Sequence, residues 1–168
     1  MKQLAAITMS IVLAGCAAHS PYAGQESRDI KALSADEVDS LIAGKGMGYA
    51  KAAELNGYPG PAHVLELADP LELSAAQRAS TQALFNEMQA NARRLGGELV
   101  EEERRLDRLF ASRLADRDSL EATLARIGNL QAKVRGSHLE AHLAQARILT
   151  PEQTARYVEL RGYSGHSH

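Results

Sequence analysis

The sequence predicts an all-α fold, a long antiparallel helical hairpin with short helices before it and one short helix after it. The first observation is composition, because Ala, Leu, Glu, Arg and Gln dominate the second half of the 168-residue chain and favour helices. The second is the scarcity of β-branched and aromatic runs, with aromatic residues at 4%. The third is a pair of long amphipathic stretches joined by a turn at residues 115–119, since helices with so short a connection pack antiparallel.

Residues 1–15 have the features of a cleaved export signal. Lys2 precedes an apolar run, Leu4 to Leu13, that is too short to span a bilayer and ends in "LAGC". Cys16 is the only cysteine, so an intramolecular disulfide is impossible. The pattern resembles a bacterial lipoprotein signal, which implies that Cys16 is lipidated and holds the protein on a membrane. By the same resemblance, Ala17 favours the periplasmic side of the outer membrane. The alternatives are an ordinary secretory signal with a chance cysteine and an apolar N-terminus that is not a signal.

The remaining chain divides into three parts. Residues 16–33 are mostly small, polar and aperiodic, which predicts a flexible tether from the lipidated cysteine. A helical domain is predicted over residues 34–163, opening with a capping box formed by Ser34 and Glu37. Residues 164–168 are predicted to be a disordered tail that contains histidines.

Three short helices are predicted before the hairpin, at residues 34–43, 49–55 and 62–68. Glycine and proline mark the boundaries between them. A final short helix is predicted from residue 150 to about residue 161.

The first helix of the hairpin is predicted over residues 75–114. Gly96 and Gly97 lie in its middle and cost roughly 1–2 kcal/mol relative to alanine. They predict a bend or a close helix crossing, and a break in the helix is the alternative. The large apolar residues recur every eleven positions, which keeps them on one face. They are Leu84, Met88, Leu95, Leu99, Leu106 and Phe110.

The second helix of the hairpin is predicted to start after the turn, with Asp118 or Ser119 as its cap. Its apolar face includes Leu124 and Ile127. Together with the six apolar residues of the first helix, these two are the candidates for a surface that binds a client protein, a partner or a second copy of the chain. The same residues can instead form the core.

Two similar pentapeptides, "LSAAQ" and "LTPEQ", precede helical stretches. In the first, the Ser74 hydroxyl can accept from the backbone of Gln77, whose side chain reaches back to the cap, and Thr150 and Gln153 repeat this arrangement. Pro151 occupies the first helical position, where its missing N–H costs nothing. This local chemistry alone explains each pentapeptide as a helix start.

Two L-[ST]-x-x-Q motifs that bracket a helical hairpin in an exported chain resemble the LTxxQ family of periplasmic proteins, which includes Spy, CpxP and the zinc-responsive ZraP. Residues 46–77 are similar to the N-terminal part of heavy-metal resistance and sensor proteins of the CnrX kind. The resemblance covers about residues 34–163. The first motif departs from the family pattern, with Ser for Thr and Ala at both middle positions.

The resemblance implies an all-helical hairpin that dimerises antiparallel. It implies an ATP-independent chaperone or envelope stress-response modulator of the Spy and CpxP type, which binds unfolded envelope proteins or a membrane sensor. A heavy-metal sensor or resistance protein that binds Zn, Cu or Ni is the second hypothesis. A structural outer-membrane lipoprotein that scaffolds partners is the third.

Two histidines suggest a metal site. His138 and His142 are four residues apart on one helix and face the same way, so their imidazoles can share Zn²⁺ or Cu²⁺. Because the pair lies on or beside the apolar face, a buried structural role is the alternative. The candidates for further ligands are His63, Glu140, His166 and His168.

Catalysis and nucleic-acid binding find no support in the sequence. The chain lacks a nucleophile motif such as G-x-S-x-G, and "GKGMG" lacks the strand and the terminal Lys-Ser/Thr of a phosphate-binding loop. A formal net charge of -2 gives no nucleic-acid signal. We therefore expect a binding protein that requires no cofactor, and no enzymatic activity.

Overall fold

A computed structural model describes residues 20–163, and these residues form six helices and no strand. The all-α prediction is confirmed. The predictions for residues 1–15, for Cys16 and for the tail 164–168 lie outside the described residues. The helices are α1 (Ala35–Ile42), α2 (Lys51–Glu54), α3 (Pro61–Glu66), α4 (Ala75–Ala111), α5 (Arg117–Ile148) and α6 (Pro151–Leu160).

The two longest helices, α4 with 37 residues and α5 with 32, form the predicted hairpin. Their opposite directions are seen in a buried contact at the end of the hairpin away from its turn, where the Gln145 side chain of α5 donates to the Thr81 hydroxyl of α4 at 3.2 Å. Both side chains are fully buried. Among the helices of residues 20–163, we find none whose length and apolar character would suit it to crossing a membrane.

The main core lies between α1 and the hairpin. It also includes Ile30, which precedes α1 and is only 2% exposed. Nearby, Asp29 pairs with Arg104, and Lys31 pairs with Asp107. The folded part therefore begins before residue 34, and the boundary predicted there is too late. The buried members of this core are Ile30, Leu41, Leu95, Leu99, Val100, Ile127 and Val134.

Gly96 is the point at which α1 crosses α4. A Cβ atom added there would lie well inside contact distance of the Leu41 backbone carbonyl, whereas one added at Gly97 would meet nothing within 4 Å. Because α4 runs unbroken through both glycines, the close crossing was the correct prediction and the break was wrong.

Capping boxes start four of the helices. The boxes predicted at Ser34, Ser74 and Thr150 are all formed. The predicted cap of α5, Asp118 or Ser119, is wrong. Asp116 is the cap, because its carboxylate accepts from the backbone N–H of Ser119 at 2.8 Å while Ser119 occupies the third helical position. The short helices α2 and α3 also end earlier than predicted.

The two pentapeptides meet at the open end of the hairpin. Gln77 donates from its side chain to Gln153 Oε1 at 2.7 Å, and Gln153 donates back to Gln77 Oε1 at 3.2 Å. Each amide also donates to a backbone carbonyl, Gln77 to Ile148 at 3.0 Å and Gln153 to Leu71 at 3.1 Å. The same two side chains that cap α4 and α6 thus join these helix starts to each other.

A second apolar cluster lies beside this amide pair and packs α3 against α6. Its largest fully buried side chain is Tyr157 of α6. The leading leucines of the two pentapeptides, Leu73 and Leu149, are both part of it, with Val64, Ala68 and Leu71.

Candidate functional site

A cleft of about 530 Å³, mostly apolar but with several polar side chains, lies where α2, α3 and the loop before α2 face the hairpin. Four α-helices and the glycine-rich loop at residues 44–48 contribute to its walls, so the cleft exists only in the folded chain. Its lining includes Met47, Glu54, His63, Met88, His138 and His142.

His138 occupies the inner wall of the cleft. Its side chain is only 4% exposed, and its ring stacks on Tyr49 with the ring centroids 6.1 Å apart. Nε2 of His138 is buried and has no hydrogen-bond partner within residues 20–163. Burial, and then the neighbouring charge of His142, lower the pKa of His138 below its usual value. The ring is therefore held in the neutral form, which is the form that can bind a metal.

His142 lies one turn further along α5 and has a defined orientation. Its Nδ1 is 2.8 Å from the backbone carbonyl of Tyr58. A carbonyl can only accept, so we assign the ring hydrogen to Nδ1, which leaves a free lone pair on Nε2. Hydrogen bonding of one ring nitrogen to a carbonyl is how metal-binding histidines are commonly oriented.

The chain approaches the ring of His142 closely at Gly60. A Cβ atom added to Gly60 would lie 2.9 Å from Cε1 and 3.0 Å from Nε2 of His142. A larger residue here would therefore displace the imidazole from its present position.

Glu54 of α2 supplies a buried carboxylate, 9% exposed, to the same wall. Its Oε1 accepts from the Tyr157 hydroxyl at 2.6 Å and from Arg161 Nε at 3.3 Å. Its Oε2 is buried without a hydrogen-bond partner in the described chain and lies 3.7 Å from His142 Nδ1. One oxygen is thus fully engaged while the other is left without a donor.

Tyr157 stays a hydrogen-bond donor across the physiological pH range. Burial, and then its hydrogen bond to Glu54, raise the pKa of the Tyr157 hydroxyl far above its usual value of 10.0. The hydroxyl therefore keeps its proton and can hold Glu54 Oε1.

The predicted metal ligands separate into three groups. His63 faces the same cleft as His138 and His142, but it is more exposed and its Nδ1 is 2.9 Å from Glu66 Oε2. Glu140 lies away from this cleft, in the groove between α4 and α5. His166 and His168 lie outside the described residues.

Sequence reasoning missed Glu54. It lies in a four-residue helix, no motif marks it, and it reaches the histidines only because α2 folds against α5. The only available signal was general, since two histidines on one helix need a carboxylate or another donor to complete a metal site.

The donor chemistry of the cleft fits a transition metal. Two imidazoles and a carboxylate are typical ligands of divalent Zn, Ni or Cu, and two of the three side chains carry a buried atom without a partner in the described chain. Within residues 20–163, however, no group of three or more His, Cys, Asp or Glu side chains is already arranged to hold a metal ion, so the three side chains would have to move closer together to share one.

The eight apolar candidates for a binding surface do not form one surface. Leu95, Leu99 and Ile127 are buried in the main core, and Leu106 packs against it. Leu84 and Met88 line an open groove of about 860 Å³ between α4 and α5. Phe110 and Leu124 are 57% and 48% exposed on the half of the hairpin that includes its turn.

Comparisons with known proteins give one result. No curated protein and no solved structure matches the chain. A family model described as heavy-metal resistance matches residues 46–156. That range includes α2 to α5 and holds Glu54, His138 and His142. This chain belongs to the heavy-metal resistance family.

Proposed function

We propose that this protein binds a divalent transition metal, Zn²⁺, Ni²⁺ or Cu²⁺, in the cleft of His138, His142 and Glu54, as a sensor or buffer in heavy-metal resistance. The observation that carries the proposal is a pair of buried atoms without hydrogen-bond partners in residues 20–163, His138 Nε2 and Glu54 Oε2, in two residues that line the same cleft as His142. Leaving such an atom unsatisfied costs about 1–3 kcal/mol. A cation that draws the two side chains together on binding would satisfy both.

Each side chain has a defined role in this proposal. His142 would bind through Nε2, because Nδ1 is engaged by the Tyr58 carbonyl. His138 would bind through Nε2, and its lowered pKa reduces the competition from protons. Glu54 would bind through Oε2 and would neutralise part of the cation's charge. The cation would act as a Lewis acid that accepts a lone pair from each of the three ligands, and no further chemistry is required of it.

The exposed side of the cleft offers a route for the metal. His63 is partly exposed, with 39% of its side chain accessible, and faces the same cavity as the two buried histidines. We propose that it makes the first contact with the incoming ion. Its pairing with Glu66 is compatible with this role, because both groups lie at the surface.

The cellular setting is part of the proposal and is supported by the sequence. The "LAGC" segment favours a lipid attached at Cys16, which would hold the metal cleft on the periplasmic side of the outer membrane. We also propose a homodimer, in keeping with the resemblance to LTxxQ proteins. Fractionation of the envelope, mass spectrometry of the lipidated chain and light scattering would test these points.

Metal titration decides the central claim. Zn²⁺, Ni²⁺ and Cu²⁺ would be titrated calorimetrically into the mature protein, into His138→Ala plus His142→Ala, and into Glu54→Gln. We expect both variants to lose at least about tenfold in affinity. The matched control is His166→Ala plus His168→Ala, which retains the cleft and should bind normally. Unchanged affinity in the double His138/His142 variant would show that the cleft is not the site.

The open groove between α4 and α5 favours a second candidate function. Leu84 and Met88 line this groove of about 860 Å³, so an unfolded envelope protein or a membrane sensor could be bound there, as in Spy- and CpxP-like chaperones. Suppression of aggregation of a denatured client is the assay, with Leu84→Asp as the variant that should weaken it. If the protein gives no suppression at several-fold molar excess, a scaffold lipoprotein is the better alternative.

A further inference from the structure

We propose that α6 is coupled to the metal cleft through Glu54, with Tyr157 and Arg161 as positioning residues for its carboxylate. This inference rests on the proposed metal-binding function. It adds that docking of α6 and binding of metal in the cleft strengthen each other. The stability of docked α6 would therefore indicate whether the metal is bound.

The geometry places both positioning residues on one oxygen. Tyr157 donates to Glu54 Oε1 at 2.6 Å, and Arg161 donates to the same atom at 3.3 Å. With Oε1 occupied, Oε2 is the atom left without a partner in the described chain, 3.7 Å from His142 Nδ1. Tyr157 and Arg161 therefore determine which oxygen of the Glu54 carboxylate is available to a cation.

The Tyr157 hydroxyl has a second contact that fixes its place. It accepts from the backbone N–H of Gly60 at 3.4 Å, and Gly60 is the residue that lies against the imidazole of His142. Tyr157 thus contacts both the carboxylate of Glu54 and the loop that closes on His142. Both contacts join distant parts of the chain, because Tyr157 follows Glu54 by 103 positions and Gly60 by 97.

The docking of α6 depends on the same residue. Tyr157 is the buried residue of α6, with no exposed surface, and it packs in the second apolar cluster. A change at Glu54, the hydrogen-bond partner of the Tyr157 hydroxyl, would therefore affect the side chain that holds α6 in place. Arg161 follows immediately after α6 and adds a charged contact to the same carboxylate.

Thermodynamic linkage then fixes the direction of the effect. Groups that hydrogen-bond a metal-ligating carboxylate orient it, and their loss typically lowers metal affinity about 10- to 100-fold. If docked α6 raises metal affinity by a given factor, bound metal must stabilise docked α6 by the same factor. Metal binding in the cleft and docking of α6 would therefore be coupled.

Amide hydrogen exchange with and without Zn²⁺, read together with calorimetric Zn²⁺ affinity, tests this inference. In the wild-type chain we expect saturating Zn²⁺ to slow exchange in α6 about 10- to 100-fold. Tyr157→Phe should lose the same factor in Zn²⁺ affinity and should show no Zn²⁺-dependent slowing in α6. Glu54→Gln should keep α6 docked through its remaining amide oxygen and should lose the Zn²⁺ response.

Two further variants separate positioning from simple loss of structure. Val158→Ala weakens the apolar packing of α6 without removing a contact to Glu54, so α6 should open and exchange faster; because α6 stays docked in most molecules, Zn²⁺ affinity should stay within about twofold. Arg161→Gln removes one donor to Glu54 Oε1 and leaves Tyr157 in place, and it serves if Tyr157→Phe fails to fold. Its Zn²⁺ affinity should fall, by less than that of Tyr157→Phe.

The outcomes distinguish this inference from the function on which it rests. Zn²⁺ binding that is equal in wild type, Tyr157→Phe and Arg161→Gln would overturn the coupling and leave the metal site standing. Binding that requires His138 and His142 but not Glu54 would do the same. Absence of Zn²⁺, Ni²⁺ and Cu²⁺ binding to the wild-type chain would overturn the proposed function and the coupling together.

Discussion

Gln77 and Gln153 exchange side-chain hydrogen bonds in both directions, at 2.7 and 3.2 Å, although they lie 76 positions apart. Both donors of each amide are used, because each also bonds a backbone carbonyl. We expect Gln77→Met and Gln153→Met each to lower the free energy of unfolding by about 1–2 kcal/mol. Since each variant removes the other's partner, the double variant should cost less than the sum, with a coupling of about 0.5–1.5 kcal/mol. Urea denaturation of the four proteins measures this cycle.

The control for that cycle is Gln82→Met. Gln82 bonds Asn86 on the exposed face of α4, so we expect a change below about 0.5 kcal/mol. Strict additivity of Gln77→Met and Gln153→Met would mean that the two motifs act only as separate helix starts.

Thr150→Ala should lower stability and spare metal binding. The Thr150 hydroxyl accepts from the backbone N–H of Gln153 at 3.2 Å, and loss of such a cap costs about 1 kcal/mol. Thermal unfolding should show the loss, while Zn²⁺ affinity should match that of wild type, because Tyr157 still holds α6 docked on Glu54 in most molecules. Reduced client binding at unchanged stability would show that the motif does more than start α6.

Gly96→Ala and Gly97→Ala should have opposite effects. The added Cβ at Gly96 would collide with the Leu41 backbone carbonyl, so we expect a loss of at least about 2 kcal/mol. The Cβ at Gly97 meets nothing within 4 Å and lies in a helix, so alanine should stabilise by about 0.5–1 kcal/mol. Chemical denaturation of both variants measures the pair, and equal effects would contradict the close crossing.

Glu103→Gln should stabilise the protein at neutral pH. Glu103 is 8% exposed, burial raises its pKa above 4.5, and no hydrogen bond or ion pair reaches it within residues 20–163. Above pH 4.5 the unfolded carboxyl ionises before the folded one, so the folded state loses stability as pH rises through the folded pKa. We expect a gain below about 1 kcal/mol at pH 7 that disappears near pH 4, measured as unfolding free energy against pH.

His138 should make stability depend on pH in the opposite sense. Its folded pKa lies below 6.5, mainly through burial, so the unfolded state takes up a proton first as the pH falls. The contribution of His138 is full above pH 6.5 and is lost as pH falls from there to the folded pKa. His138→Phe should flatten the curve over this window in the presence of a chelator. An unchanged slope would mean that His138 is accessible to protons in the folded state.

Local chemistry accounts for what the sequence predicted well. The capping boxes at Ser74 and Thr150 depend on residues three positions apart, and the hairpin depends on long periodic helices with a short connection. The cap of α5 was misplaced because aspartate occurs at both 116 and 118, and sequence alone does not decide which one is extended.

Contacts between segments that lie far apart in the chain could not be predicted from the sequence. Ile30 precedes the first capping box in a polar segment, yet it is buried in the core. Glu54 becomes part of the candidate site only when α2 packs on α5 and α6 brings Tyr157 to its carboxylate. The pair His138 and His142 was visible because helical periodicity places both on one face, but their partners come from chain segments about 80 or more residues away.

The amide pair of Gln77 and Gln153 gives the hairpin two unequal ends. At one end the pentapeptides, the second apolar cluster and α6 join the helices noncovalently, and at the other the covalent turn at residues 112–116 links them. A single cut in that turn should therefore leave two fragments, each carrying one pentapeptide, that stay associated and can reassemble after separation. In terms of assembly, the chain consists of two complementary fragments, and the peptide bonds of the turn at residues 112–116 are not needed to hold them together.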